Sequence, residues 1–294
     1  MRISIVIATK DRASYLAHAL ASLEEQIGAP SFEVVVVDNG STDGTPQVAE
    51  AQGARGRYPV RYVYESEPNR GKARNRGIAV AQGYLVLFID DDVQLPPGFL
   101  GAHEAAHTSG NLVVNGPILN VPSYDDRPKP GVANYSRAFL CTCNVSLPKH
   151  AIEAVGGFDE AFKLYGWEDT ELGVRLREAG MSWRFAWDGY LWHIKSPTDN
   201  TLEVETRKVL ERARMARHFL DKQPSPRARL ATGAHPVNLL RARYLLPDSL
   251  LAVYAGLATS ERTPAWMRSL ARAQFLDGMY SRELVRVLDE AGDV

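Results

Sequence analysis

No run of about 18 apolar residues, the length a spanning helix needs, occurs in this chain. The longest apolar stretch, "YLLPDSLLAVYAGLA" at 244–258, is short and is broken by Pro247 and Asp248. The N-terminal "MRISIVIATKDR" is apolar over only a few residues, so it reads as a first strand and not as a signal peptide. Cysteine is scarce. Cys141 and Cys143, both in "LCTCN", are too few for a disulfide framework and lack a second pair for a structural zinc site. They read as small buried side chains. Neither sign of charge dominates: 34 Lys and Arg stand against 35 Asp and Glu, a net charge of -1. That balance argues against nucleic acid as the main partner. No internal repeat or low-complexity tract is evident, and nothing argues for export, so a cytoplasmic location is expected.

What is present is an ordinary globular composition, 294 residues with 45% hydrophobic and 23% charged, enough for one large domain or two unequal ones. Its first hundred residues alternate short apolar runs with amphipathic stretches. Strands are expected at 3–8, 32–40, 60–66 and 84–90, and helices at 14–26, 45–54 and 71–83, with Pro46 in a first helical turn. This is the rhythm of βαβ units around a mostly parallel sheet. Right-handed crossovers bring the carboxyl ends of such strands to one edge, where ligands bind. Thr9 to Asp11, Asp38, Glu65 and Asp90 to Asp92 therefore converge.

Three adjacent carboxylates at that edge need an explanation. Two like charges about 4 Å apart at an effective dielectric near 20 cost roughly 4 kcal/mol. In "VLFIDDDV" an apolar strand feeds Asp90, Asp91 and Asp92 straight into the ligand-binding edge, with Asp90 and Asp92 expected to face one way and Asp91 the other. A hard divalent cation taking oxygen ligands and a substrate phosphate removes the repulsion. Asp38, ending the second strand, is placed to accept hydrogen bonds from a nucleotide, or simply starts the "DNGSTDGT" turn. Lys72, Arg74 and Arg76 open a helix on the same edge, where backbone N–H groups favour phosphate. A dinucleotide-binding domain or a sugar-nucleotide pyrophosphorylase needs a Gly-rich loop after the first strand, and "ATKDRA" is not one.

In "LYGWEDTELGVRLREAG", Leu172 and Leu176 mark a helix that Gly180 stops, which puts Glu168 and Asp169 in its first turn. There the helix dipole stabilises acids, and a carboxylate kept ionised is able to act as a general base. "HEAAH" at 103–107 matches a zinc-protease pattern, but no third ligand accompanies it, and a plain helix after "LPPGF" explains it. His193 in "GYLWHIKSP" is a lone histidine amid aromatics, by itself a packed residue.

Together these residues resemble glycosyltransferase family 2, inverting enzymes of the GT-A fold. "ISIVIATKDRASYLAHALASL" looks like the family's opening strand and helix, and "VVVVDNGSTDGT" like its nucleotide-binding strand and turn. "GKARNRGIAVAQGYLVLFIDDD" resembles the stretch leading to the D-x-D motif, and "NVSLPKHAIEAVGGFDEAFKLYGWEDTELGVRL" the acceptor-side segment ending in the E-D motif. Four matches in order over roughly 1–200 are specific for fold and broad activity. The resemblance implies an α/β GT-A domain at 1–200, with a nucleotide-binding half at 1–100 and an acceptor-binding half at 101–200. It implies Asp38 and Asp90 on the nucleoside, and Asp91 near the donor sugar. Lys72 and Arg74 would lie near the nucleotide or phosphates, and Thr9 and Asp11 would line the donor site. It gives Asp92 and His193 as ligands of Mn²⁺ or Mg²⁺, Asp169 as catalytic base and Glu168 as a residue orienting the acceptor.

The implied function is transfer of a single sugar from a nucleotide-diphosphate sugar, UDP by default, to a hydroxyl of a saccharide, lipid-linked or small-molecule acceptor. Processive members carry a Q-x-x-R-W motif and membrane helices, and "SWRFAW" offers nothing equivalent. A catalytically silent nucleotide-binding or scaffolding relative is the alternative, opposed by the retention of Asp92, Asp169 and His193 together. A nucleotidyltransferase is opposed by the missing Gly-rich loop. Residues 201–294 read as a helical extension. Within 207–243 ten Lys and Arg stand against two Asp and Glu, which suits a lid, a homodimer interface or a peripheral contact with the inner face of a membrane.

Overall fold

Side-chain alternation along the first strands decides where the core lies. In β1 (Ile3–Thr9), Ile3, Ile5 and Ile7 join one buried cluster and Val6 another. β2 (Phe32–Asp38) divides the same way, Val34 and Val36 against Val35 and Val37. A strand buried on both faces is a central strand of a sheet covered on each side. The structure, a computed structural model, describes residues 2–195 and 201–290.

Helices α1 (Ala13–Glu24) and α2 (Thr45–Arg55) flank β2, followed by β3 (Val60–Tyr64), α3 (Arg70–Val80), β4 (Leu85–Ile89), β5 (Val93–Gln94) and α4 (Phe99–Ala106). The chain continues through β6 (Leu112–Asn115), β7 (Ile118–Val121), β8 (Asn144–Pro148), α5 (Lys149–Ala154), α6 (Glu168–Glu178), β9 (Ser182–Phe185) and β10 (Leu191–Ile194). The main sheet runs β3-β2-β1-β4-β8-β6-β9, parallel except where β8 opposes β4 and β6. Leu16 and Leu20 of α1 cover one face, and Ile78 of α3 with Leu172 and Leu176 of α6 the other. The expected mixed α/β sheet is present. The third helix ends at Val80, short of the expected 83, because Ala81 is extended. Gly83 then passes so close to β1 that a Cβ on it would lie 2.4 Å from the Ser4 nitrogen.

A second sheet decides the site. Its order is β5-β10-β7, with Trp192 opposite Gln94 and His193 opposite Val93 in an antiparallel ladder. The ladder starts one residue after Asp92, whose carbonyl accepts from the Ile194 N–H at 2.7 Å.

The chain divides into two compact units, Met1–Lys163 with Glu168–Ser196, and Leu164–Trp167 with Pro197–Val294. The second is helical: α7 (Leu202–Lys222), α8 (Pro226–Thr232), α9 (Pro236–Tyr244), α10 (Asp248–Thr259) and α11 (Ala265–Glu290). Pro226 and Pro236 open their helices, where a missing N–H costs nothing. Trp167 belongs here, stacked on Phe219 at 5.3 Å with its indole N–H donating to the Arg212 carbonyl at 2.8 Å. No helix among the described residues is long and apolar enough to cross a membrane.

Candidate active site

The three aspartates emerge from β4 and separate as strand alternation requires. The Asp91 carboxylate accepts from the Thr9 hydroxyl at 2.7 Å, at the carboxyl end of β1. Asp92 Oδ1 lies 2.8 Å from His193 Nε2, and Asp90 Oδ2 lies 3.8 Å from the same nitrogen. Their repulsion is met by two cations that sequence reasoning did not single out. Arg12 donates to Asp92 at 2.8 Å and to Asp91 at 3.3 Å, and Lys195 Nζ lies 3.8 Å from Asp92. Burial pushes Asp91 up to about 7 against the pull of Arg12 and the Thr9 hydroxyl. Burial acts on Asp92 too, but the His193 contact, Lys195 and Arg12 outweigh it and hold Asp92 well below the usual carboxylate range.

His193 reaches the acids through the β5–β10 ladder, and Asn120 of β7 fixes its ring with an Oδ1 3.1 Å from Nδ1. Asn120 beside Nδ1 orients the ring so that Nε2 faces the carboxylates, the nitrogen that a metal would take. Lys195 Nζ also approaches Nε2, at 2.8 Å. Asp90, Cys143 and His193 present ligand atoms within 4.8 Å of one another. Cys143, read from sequence as packing, is thus at the centre. Its thiol is pushed well above its ordinary value, chiefly by burial, so it keeps its proton at neutral pH. Carboxylate oxygens 2.8 and 3.8 Å from an imidazole nitrogen are donors of the kind that Mn²⁺ or Mg²⁺ takes. The donor set therefore fits a divalent cation.

The other expected donor-side residues form two groups. Asp38, fully buried, accepts from the Ser41 N–H at 2.7 Å and from the Tyr62 hydroxyl at 2.7 Å. Asp11, held at φ 51, accepts from the Thr42 N–H at 2.7 Å, while its own N–H donates to the Ser41 hydroxyl. The ends of β1 and β2 are thus pinned to one turn. Lys72 stands apart from Arg74, pairing with Glu65 at 3.1 Å and Glu67 at 2.9 Å.

Arg74 is buried against the acids of α6, 3.3 Å from Glu168 and 3.6 Å from Asp169. The structure brings it to the expected base and away from Lys72. Thr142 holds the Asp169 carboxylate through its N–H at 2.9 Å and its hydroxyl at 2.8 Å. Burial, opposed by Arg74 and aided by the charge of Glu168, raises Asp169 to about 6. Cys141, raised to about 12 mainly by burial, feels both Asp169 and Asp90, so the carboxylates of β4 and α6 share one electrostatic neighbourhood. Thr142 and Cys143 carried no sequence signal beyond "LCTCN", and Asn120 carried none. Arg12 sat in plain view in "ATKDRA".

His103 and His107 do not meet as metal ligands. His103 is fully buried between Ser146 at 2.8 Å and Asn144 at 2.9 Å, and His107 lies 2.8 Å from the same Ser146 hydroxyl. The plain-helix explanation of "HEAAH" holds.

Against known proteins, the model of glycosyl transferase family 2 matches residues 4–153, and that of the N-terminal domain of galactosyltransferase matches residues 128–218. Validoxylamine A glucosyltransferase of Streptomyces hygroscopicus subsp. limoneus is 30% identical, aligned over 76% of this chain and 57% of its own length. The chain spans 57% and 61% of the two Streptomyces relatives of that name. Among solved structures, the mannosyltransferase PcManGT from Pyrobaculum calidifontis, in complex with GDP-Man and Mn²⁺, superposes with a TM-score of 0.65 at 18% identity. The match covers 98% of this chain and 87% of that one. S. aureus TarS 1-349 in complex with UDP gives 0.56 at 21% identity, covering 99% and 92%.

Proposed function

Because the chain belongs to glycosyl transferase family 2 and shares the GT-A fold, we propose that it is an inverting, divalent-metal-dependent glycosyltransferase. It moves one sugar from a nucleotide-diphosphate sugar, a UDP-sugar by default, to an acceptor hydroxyl. One observation supports this reading: Thr142 holds the buried Asp169, and the next residue, Cys143, lies with Asp90 and His193 in one cluster within 4.8 Å.

The chemistry follows from the residues. Asp169, aimed by Thr142, accepts the proton of the acceptor hydroxyl as its oxygen bonds to the anomeric carbon. The bond from that carbon to the diphosphate oxygen breaks, and its electron pair leaves with the nucleoside diphosphate. A single displacement inverts the centre. Glu168 orients the acceptor side while Arg74 balances the two carboxylates. Asp92 and His193, with Asp90 beside them, would hold Mn²⁺ or Mg²⁺, which would supply charge neutralisation to the leaving diphosphate. Thr9, Asp11, Asp38, Lys72 and Asp91 form the donor side.

The test is release of nucleoside diphosphate from a panel of sugar nucleotides with Mn²⁺, Mg²⁺ or EDTA, and the anomeric configuration of the product by NMR. One nucleotide turned over only with metal, with inversion, is expected. Retention of configuration, or no turnover of any donor by a folded protein, would sink the proposal. In the second unit, Leu230, Val237, Leu240 and Tyr244 are exposed, as are Arg227 and Arg229. That pairing supports a peripheral membrane contact through 207–243. A homodimer is the other use of this surface, separable by light scattering.

A further inference from the structure

The first unit contains a cavity of about 390 Å³ lined by segments 115–120 and 133–136 and by Cys141. None of its described lining residues is charged, and its polar groups come from Asn115, Asn120, Asn134, Tyr135 and Ser136. Gly116 lines it, and only glycine fits there because a Cβ would lie 1.7 Å from the Gly189 carbonyl oxygen. Asn115 is only 2% exposed, and its amide donates to the Phe139 carbonyl at 3.0 Å, yet its Oδ1 has no hydrogen-bond partner. A buried acceptor without a donor is uncommon in native proteins.

One lining residue, Tyr135, belongs to a cluster of rings. Trp183, Phe185 and Trp187 recur at period two on and just beyond the edge strand β9, so they share a face. Tyr135 of the cavity wall packs on all three, at 6.1, 5.1 and 6.1 Å, and is near-parallel to Trp187. Tyr135 and Trp187 remain 44% and 42% exposed. Two further links tie this space to the chemistry. Cys141 of the wall precedes Thr142, which holds Asp169, and Asn120 of the wall fixes His193.

We propose that this cavity is the acceptor subsite, and that it selects an uncharged polyhydroxylated ring, a pyranoside or a cyclitol. The ring's C–H face lies on Tyr135, which Trp187 backs, and its hydroxyls meet Asn134 and Ser136. A phosphorylated ring would bring an anion where the lining offers no cation. Naming this site the acceptor's rests on the assignment of Asp169 as base; the binding of a neutral ring does not.

The experiment is saturation-transfer NMR on the full chain with methyl β-D-glucopyranoside, myo-inositol and glucose 6-phosphate as probes. At least one neutral ring should receive saturation, with affinity at least tenfold above that of the phosphate. Tyr135→Ala and Trp187→Ala should each weaken it at least fivefold, while Tyr135→Phe restores it. Both alanine changes are at exposed rings, and an unchanged Tm confirms that the variants fold. Binding of the phosphate as strong as that of the neutral rings, no neutral probe bound, or binding indifferent to both alanine changes would overturn the inference. Ring binding through Tyr135 without nucleotide release from any donor would instead overturn the transferase assignment and leave the sugar site standing.

Discussion

Thr142 donates twice to Asp169, once from its backbone N–H and once from its hydroxyl. Hydrogen bonds to a carboxylate favour its ionised form, and those to charged groups are worth about 1.5–3 kcal/mol each. Thr142→Val keeps the N–H and removes the hydroxyl. The variant should lose about tenfold in kcat near pH 6 and less at pH 8, with the acid limb of the kcat profile moved to higher pH. An unchanged limb would show that the hydroxyl does not tune the base.

The direction of the pH dependence follows from burial. Asp169 keeps its proton up to about 6, so an ionised base is present above that value and is lost as pH falls through it. Below pH 6, kcat should drop about tenfold per unit. Glu168→Gln removes a like charge that raises Asp169 and should move the limb to lower pH. Asp169→Asn should cost about 10²–10⁴ in kcat, read with saturating donor and acceptor. For folding the sign is opposite to that of a salt-bridged aspartate. The raised value means that protonation favours the native state, so this group's contribution improves as pH falls from above 6 toward the ordinary carboxylate range.

His193 and Cys143 both lie in the candidate metal cluster, yet they should behave differently. His193→Ala and Asp92→Asn should each abolish the metal-dependent thermal shift produced by nucleoside diphosphate, a shift of about 2.7 kcal/mol at a hundred times Kd. Cys143→Ser should retain it with Mn²⁺, because the buried thiol holds its proton. A Cys143→Ser protein that no longer answers to Mn²⁺ would make the thiolate a true ligand.

Leu172 is fully buried on the face of α6 that covers the main sheet. Leu172→Ala should destabilise the fold by about 2–5 kcal/mol in urea unfolding. Because Glu168 and Asp169 stand one turn earlier on that helix, turnover should weaken with it.

For the second unit, pelleting with vesicles of anionic lipid distinguishes membrane contact from a plain solvated surface. Binding that falls with salt and with Leu240→Asp is expected, and none at low salt removes the idea. Leu240 is exposed on α9.

The βαβ rhythm was readable because each period maps onto one contact. Ile3, Ile5 and Ile7 sit at period two, and Leu172 and Leu176 at i, i+4, and each set reports the surface it buries. Asp90 to Asp92 were readable because an apolar strand delivered them to a known edge. Arg12, Asn120, Thr142 and Lys195 were not, since what matters about them is a neighbour tens of residues away. A two-residue ladder such as Val93–Gln94 with β10 leaves no periodic trace. Arg74 shows the same limit from the other side: its place on α3 was legible, but packing turned it toward α6 and away from the group it was expected to join.

That short ladder between β5 and β10 also sets when the site comes into being. Asp92 and His193 are a hundred residues apart along the chain and become neighbours only once both sheets have closed. A nascent chain that has produced all three aspartates has none of their histidine. Its acids must wait, screened by water and by Arg12, until the last strand of the first unit arrives. The proposed affinity of this centre for a cation would therefore be a readout of high-contact-order folding, silent in any fragment that stops before residue 191.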